Sequence, residues 1–251
     1  MIQRAVASAK LPLPVLRSRG VLARVLRDEW MAEGQRIVAT SKSDLEVGTT
    51  YVGESSDIGH EPINILLSCG NMGGFRARGS VRKNRVDLVA LVTTFADSEW
   101  PDRLDEDTGR FTYFGDNKKP GRDLHDTSRG GNQLLRWAFS AIHVQDQQRH
   151  LVPPFFVFAK EGENRASTFL GVAAPGAPDC SESEDLVASW TTRGNDRFQN
   201  YRAVFTILDI PVARRGWIRE LEEGEHVEAN APAVWIDWVE SGVYRSATRA
   251  G

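Results

Sequence analysis

The run Asp87 to Phe95, DLVALVTTF, restricts the fold more than any other stretch. It is rich in β-branched and aliphatic residues and carries no charge after Asp87. That composition suits a strand covered on both faces. Comparable runs recur along the chain: Gly48 to Val52, Phe111 to Phe114, PFFVFA at Pro154 to Ala159, TFLGVA at Thr168 to Ala173, LVASWT at Leu186 to Thr191 and YRAVFTILDI at Tyr201 to Ile210. Glycine, proline and asparagine punctuate them. Ile65 to Leu67 is a further short apolar run within this strand-like region. DLVALVTTF and the Phe111 strand, joined by the acidic loop Ala96 to Gly109, read as neighbours in a wide hairpin.

Helical periodicity is confined to three places. Asn132 to His143 places Leu134, Leu135, Ala138, Phe139 and Ile142 on one face. Pro14 to Val38 shows the same spacing, and the chain turns helical and acidic after Arg214, with Trp217, Trp235, Trp238 and Tyr244 as packing anchors. The expected class is α+β, mainly β: a curved, barrel-like sheet with flanking helices. The division expected is a helical extension over 1–44, a main domain over 45–215 and a helical connector over 216–251.

Charge is uneven. The net charge is only -3, yet Arg76, Arg78, Arg82, Lys83 and Arg85 fall within Gly70 to Arg85 without an acid. A second basic run holds Lys118, Lys119, Arg122, Arg129 and Arg136. Such patches on a near-neutral chain suit either a solvated face or an anionic polymer. Cys69 and Cys180 lack metal-ligand spacing and fit a reducing, cytoplasmic setting. No apolar run reaches the roughly 18 residues of a membrane span.

The basic runs flank a concentration of aromatic and acidic residues. Handling one base of a duplex requires taking it out of the stack, between flat walls and beside an edge acceptor, while cations hold the backbone. Phe95, Trp100, Tyr113 and Phe114 are candidate walls. Asp97, Asp102 and Asp116 are candidate acceptors for a cytosine amino group. Gly73-Gly74 and Gly130-Gly131 let backbone amides approach closely. A competing reading uses Pro101-Asp102 and Asp116-Asn117-Lys118 as a PD…DxK string. There Asp102, Asp116 and Lys118 would hold Mg²⁺ for phosphodiester hydrolysis by a complete small endonuclease.

The string FTYFGDNKKPG…HDTSRGGNQLL resembles the aromatic-glycine turn and following helix of SRA domains, which flip 5-methylcytosine out of DNA. Five blocks together, GNMGGFR (Gly70 to Arg76), YFGDN (Tyr113 to Asn117), RGGNQLLR (Arg129 to Arg136), VPPFFVF (Val152 to Phe158) and RFQNYRA (Arg197 to Ala203), resemble the N-terminal SRA-like domain of AspBHI-type modification-dependent restriction endonucleases. The closing APAVWIDWVESGVY, Ala231 to Tyr244, resembles the connector leading into their nuclease part. The resemblance implies an SRA-like (PUA-like) fold and recognition of double-stranded DNA carrying a modified cytosine. Tyr113, Phe114 and Gly115 match the SRA Tyr-Thr-Gly turn. Phe95 matches the aromatic that ends the preceding strand, and Asp97 or Asp102 the base-reading acid.

From the basic runs, Arg76, Arg78, Lys118, Lys119 and Arg129 are expected to hold phosphates, and Asn71, Met72, Gly73 and Asn132 complete the expected DNA contacts. Gly70 to Arg76 would probe the duplex beside the flipped nucleotide. Binding would need no metal or cofactor, with Mg²⁺ serving only an associated nuclease part. Homo-oligomerisation is left open, and no membrane partner is expected.

Overall fold

The computed structural model describes residues 35–53, 57–144, 148–161, 166–224 and 229–248. Their elements are, in order, β1 (Arg36–Val38), β2 (Leu45–Glu46), β3 (Thr50–Val52), α1 (Pro62–Leu67), β4 (Phe75–Ser80), β5 (Arg85–Thr93), β6 (Arg103–Asp105), β7 (Arg110–Phe114), α2 (Gly131–His143), β8 (Phe155–Glu161), β9 (Ala166–Pro175), α3 (Glu182–Asp185), β10 (Leu186–Arg193), β11 (Asp196–Ile207), β12 (Val212–Ala213), α4 (Arg215–Glu223) and α5 (Ala233–Ser241).

Ten strands form one sheet with the path β4-β5-β8-β9-β11-β7-β6. β3 joins it on β9, β1 on β3, and β10 on β11, while β2 and β12 pair separately. The mainly β class expected from the sequence is observed. The path ends at β4 and β6, and no ladder joins these two among the described residues. Most pairings are antiparallel; β5 runs parallel to β8 and β1 to β3. The parallel β5–β8 step requires a long crossover, and the intervening chain supplies β6, β7 and α2.

Burial follows from where each strand lies. β9 is buried along its whole length, as a strand with neighbours on both edges and cover on both faces must be. Its Phe169 packs on Phe156 and Phe158 of β8, with ring centroids 6.3 and 5.2 Å apart. α2 buries the face the sequence indicated, and Phe139 meets Phe205 of β11 at 5.2 Å. β10, paired among the described residues with β11 alone, leaves alternate residues exposed, Trp190 among them.

Three expectations are corrected here. β5 and β7 are not hairpin partners: β8, β9 and β11 lie between them, and β7 pairs instead with β11 and β6. Ile65 to Leu67 belongs to helix α1, because Pro62 opens the helix and the Glu61 carboxylate accepts from the Asn64 amide. The helix anticipated over Pro14 to Val38 lies mostly outside the described residues, but its last three are strand β1. β1 precedes residue 45 yet is part of the main sheet. The C-terminal helices pack on that sheet through Trp217, which meets Phe156 at 5.7 Å and continues a row of rings to Trp235 and Trp238.

Candidate nucleic-acid interface

Four segments converge beyond the ends of β5 and β7: the turn 70–74, the loop 94–102, the turn 115–118 and the segment 127–132 leading into α2. Gly115 and Gly131 explain why the last two fit. A Cβ on Gly115 would fall 1.8 Å from Asn132 Oδ1, and one on Gly131 would fall 2.7 Å from the Asp116 carboxyl carbon. Only glycine allows this approach. Across it, Asp116 Oδ2 and Oδ1 accept from the Gly131 and Asn132 amides, each at 3.0 Å. An acid at a helix N-terminus satisfies free amides and opposes the helix dipole.

Asn132 is wholly buried. Its Nδ2 donates to Leu124 O at 2.8 Å and Asn200 Oδ1 at 3.0 Å, and its Oδ1 accepts from the Asp116 amide. Asn200 in turn donates to Gly115 O and accepts from the amides of Asn117 and Tyr201. Asn117 Nδ2 donates to Gln199 O. The YFGDN, RGGN and RFQN blocks are thus three sides of one polar knot that fixes the turn bearing Lys118.

The acids divide by environment. Asp97 Oδ1 accepts from the Glu99 and Trp100 amides, and its Oδ2 takes Lys118 Nζ at 3.0 Å. Partial burial pulls its pKa up, but Lys118 and these amides together outweigh that and hold it below the ordinary value. Asp102 is only 8% exposed. Its Oδ1 accepts from the Phe114 amide at 2.8 Å. Desolvation pushes its pKa up to about 6, against the lowering effects of the Phe114 amide, the Thr93 hydroxyl and Lys118, and with Asp97 adding repulsion.

The aromatics form two separate groups. Phe95 meets Phe111 edge-on at 6.5 Å, and Phe111 lies 6.1 Å from Tyr113. Phe95 is half-buried and holds φ +54°, a left-handed conformation that a bulky side chain seldom adopts. Tyr113 is 2% exposed, and Gly74 passes close by its hydroxyl. Burial, then the nearby charges of Asp102 and Asp116, push the pKa of that hydroxyl well above its ordinary value. Trp100 and Phe114 instead pack with Phe198, at 5.4 and 5.9 Å from the Trp100 ring.

Several expected roles are therefore corrected. Trp100 and Tyr113 do not face each other as the two walls of an open slot, because consecutive residues of β7 point to opposite faces. Phe114 sits with Trp100 in the closed second group. Arg76 cannot touch a phosphate from its position: it is fully buried, paired with Glu61 at 2.7 and 2.8 Å, and its Nε donates to Gly73 O. Arg78 is spent on Glu222 O and Ser68 O. Asn132 and Asp116 are occupied in the knot.

The hydrolytic triad is not assembled either. Asp116 caps α2, Lys118 pairs with Asp97, and Asp102 is enclosed. Among the described residues, no group of three or more His, Cys, Asp or Glu side chains is placed to hold a metal.

Asn71, Met72 and Gly73 form the turn covering this region, with Asn71 Oδ1 accepting from the Gly73 amide. Lys118 is partly exposed, and Lys119 and Arg129 are exposed, with the Arg129 guanidinium lying against Gly73. Sequence reasoning missed Glu61, whose only signal was its place before Pro62, and Asn200, a lone polar residue in an apolar strand.

Comparison with known proteins follows this geometry. The DNA modification-dependent restriction endonuclease AspBHI is 43% identical, with a TM-score of 0.80 over 86% of this chain and 56% of that one. The present chain therefore spans little more than half of AspBHI. The DNA recognition domain of the cytosine modification-dependent restriction endonuclease LpnPI is 38% identical, with a TM-score of 0.78 over 87% of this chain and 98% of that domain. The MspJI restriction endonuclease shares the fold at 18% identity and a TM-score of 0.55. No curated protein matches the chain. The family model described as "Restriction endonuclease AspBHI N-terminal" matches residues 45–250, and the chain belongs to that family.

Proposed function

We propose that the chain is a DNA recognition domain that binds duplexes carrying a modified cytosine, of the 5-methylcytosine type, by extruding that base. The observation that carries this is Asp102: a carboxylate enclosed at the convergence of the four segments, fixed by the Phe114 amide and within electrostatic reach of the Lys118–Asp97 pair. Burying such an acid costs stability. A site that reads a cytosine amino group needs a dry acceptor of this kind, because a buried acceptor left unmatched penalises the wrong base. Tyr113, whose hydroxyl feels the Asp102 charge, and Phe95, in the same aromatic group through Phe111, are the walls assigned to the base. Tyr113 is buried and Gly74 lies beside its hydroxyl, so a base reaches that ring only if the turn 70–74 moves aside. Lys118, Lys119 and Arg129 supply cations at the rim. The role of LpnPI's matching domain supports the reading.

The domain itself binds without a cofactor. In a longer enzyme, Mg²⁺ would serve a nuclease part; a homo-oligomer and a cytoplasmic setting belong to the same proposal. The test is a titration of unmodified, methylated and hydroxymethylated duplexes at two salt concentrations. Tighter binding of a modified duplex is expected, and Asp102→Ala should remove that preference while leaving weak, salt-sensitive binding. Equal affinity of the wild-type chain for all three duplexes would defeat the reading.

A further inference from the structure

Beside the covering turn lies a cleft of about 360 Å³, between the end of β4 with its following 3₁₀ turn and the segment 126–130. Ser80, Arg82, Thr127, Ser128 and Arg129 line it, with Asp126 as the one acid. Two observations distinguish this cleft. First, several arginines nearby are already committed: Arg76 to Glu61, Arg78 to Glu222 and Arg193 to Glu99. Arg82 and Arg129 are exposed and form no ion pair with the described residues. Second, the Thr127 hydroxyl oxygen is shielded from solvent yet has no hydrogen-bond partner among the described residues. A buried hydroxyl without a partner costs free energy, which a bound acceptor recovers once a small shift of the segment 126–130 bares the oxygen.

We infer that this cleft seats a backbone phosphodiester of the bound DNA, with Arg82, Arg129 and the Thr127 hydroxyl as donors. Two guanidinium groups against one exposed carboxylate leave a net positive seat, and guanidinium matches phosphate geometry. The Arg129 guanidinium lies against Gly73, so the seat adjoins the turn that must lift for a base to be read. A phosphate held there places the strand backbone beside that turn. The seat carries affinity and register, not base identity.

The inference rests on the duplex-recognition reading, and the two fail differently. Fluorescence anisotropy with methylated and unmodified duplexes over a salt series, on wild type, Arg82→Ala, Arg82→Gln and Thr127→Val, separates them. Arg82→Ala and Arg82→Gln are expected to weaken both duplexes by the same factor. They should also reduce the slope of log affinity against log salt by about one. Thr127→Val is expected to weaken both by about threefold to tenfold with the slope unchanged. Wild-type affinity and slope in all three variants would overturn the seat while leaving the recognition reading intact. A change in the methylated-to-unmodified ratio at Arg82 would also overturn it, since a phosphate contact cannot alter that ratio. No preference in wild type, with the slope still sensitive to Arg82, would defeat the recognition reading and keep the seat. Absence of binding to any duplex at low salt would overturn both.

Discussion

The guanidinium of Arg76 meets the carboxylate of Glu61 fork to fork, at 2.7 and 2.8 Å, with both side chains excluded from solvent. The same Glu61 caps α1, and the same Arg76 holds Gly73 O through Nε. One buried pair therefore fixes a helix start, a strand start and the turn over Tyr113. Removing one partner strands a charge in the interior. Glu61→Gln and Arg76→Ala are each expected to cost about 3–5 kcal/mol in urea unfolding. The double replacement Glu61→Leu, Arg76→Met should recover much of that loss, because no charge is then left alone.

Asp102 is expected to show the opposite sign. Its pKa is raised to about 6, so the folded state holds a proton that the unfolded chain releases above about 4. Stability should fall as pH rises from about 4 to 6, and the full cost of burying the charge persists at neutral pH. Asp102→Asn keeps an oxygen for the Phe114 amide and removes the charge. It is expected to raise stability at pH 7.5 by on the order of 2 kcal/mol and to flatten the pH dependence between 4 and 6. Thermal unfolding of both proteins across that range checks this.

Ionised, the same carboxylate is the stronger acceptor for an amino group, and both its oxygens can accept. Preference for methylated over unmodified duplex should therefore decline as pH is lowered through about 6, and binding titrations at pH 5 and 7.5 would show it. An unchanged ratio at the two pH values would mean that Asp102 does not read the base.

Gly115→Ala is expected to be among the most damaging small substitutions. Its methyl would fall 1.8 Å from Asn132 Oδ1 and 2.8 Å from Asn200 Oδ1, both immobilised by other bonds. A loss of about 2 kcal/mol or more is expected. Gly121→Ala is a useful control, because no atom lies within 4 Å of its added carbon, although its φ of +86° keeps some backbone strain.

The Lys118–Asp97 pair separates stability from recognition. Its side chains are 41% and 33% exposed, so Lys118→Ala should change unfolding by less than about 1 kcal/mol. Its loss should still weaken duplex binding and reduce the salt dependence.

Local pattern was readable where it was strong. α2, β5 and β7 were legible because apolar spacing and β-rich composition speak for single segments. The partners of β5 and β7 were not, since the order of strands is set by contacts far apart in the chain. The basic run at Gly70 to Arg85 advertised five cations alike, and the acid that removes Arg76 from the surface lies 15 residues away. Asp116 looked like a reader of bases because nothing local reveals that the amides it serves arrive 15 and 16 residues later. Asp102 could be nominated from its position after Trp100-Pro101, but its enclosure needed the fold.

The oxygen Asn200 Oδ1 receives amide hydrogens from residues 68 and 83 positions away as well as from its own neighbour. Three distant stretches of chain are thus referenced to one atom. Where the Lys118 turn sits is consequently a property of the β10–β11 hairpin as much as of its own sequence. A disturbance at the hairpin would reach the rim of the site with its direction preserved, as through a single rigid bracket.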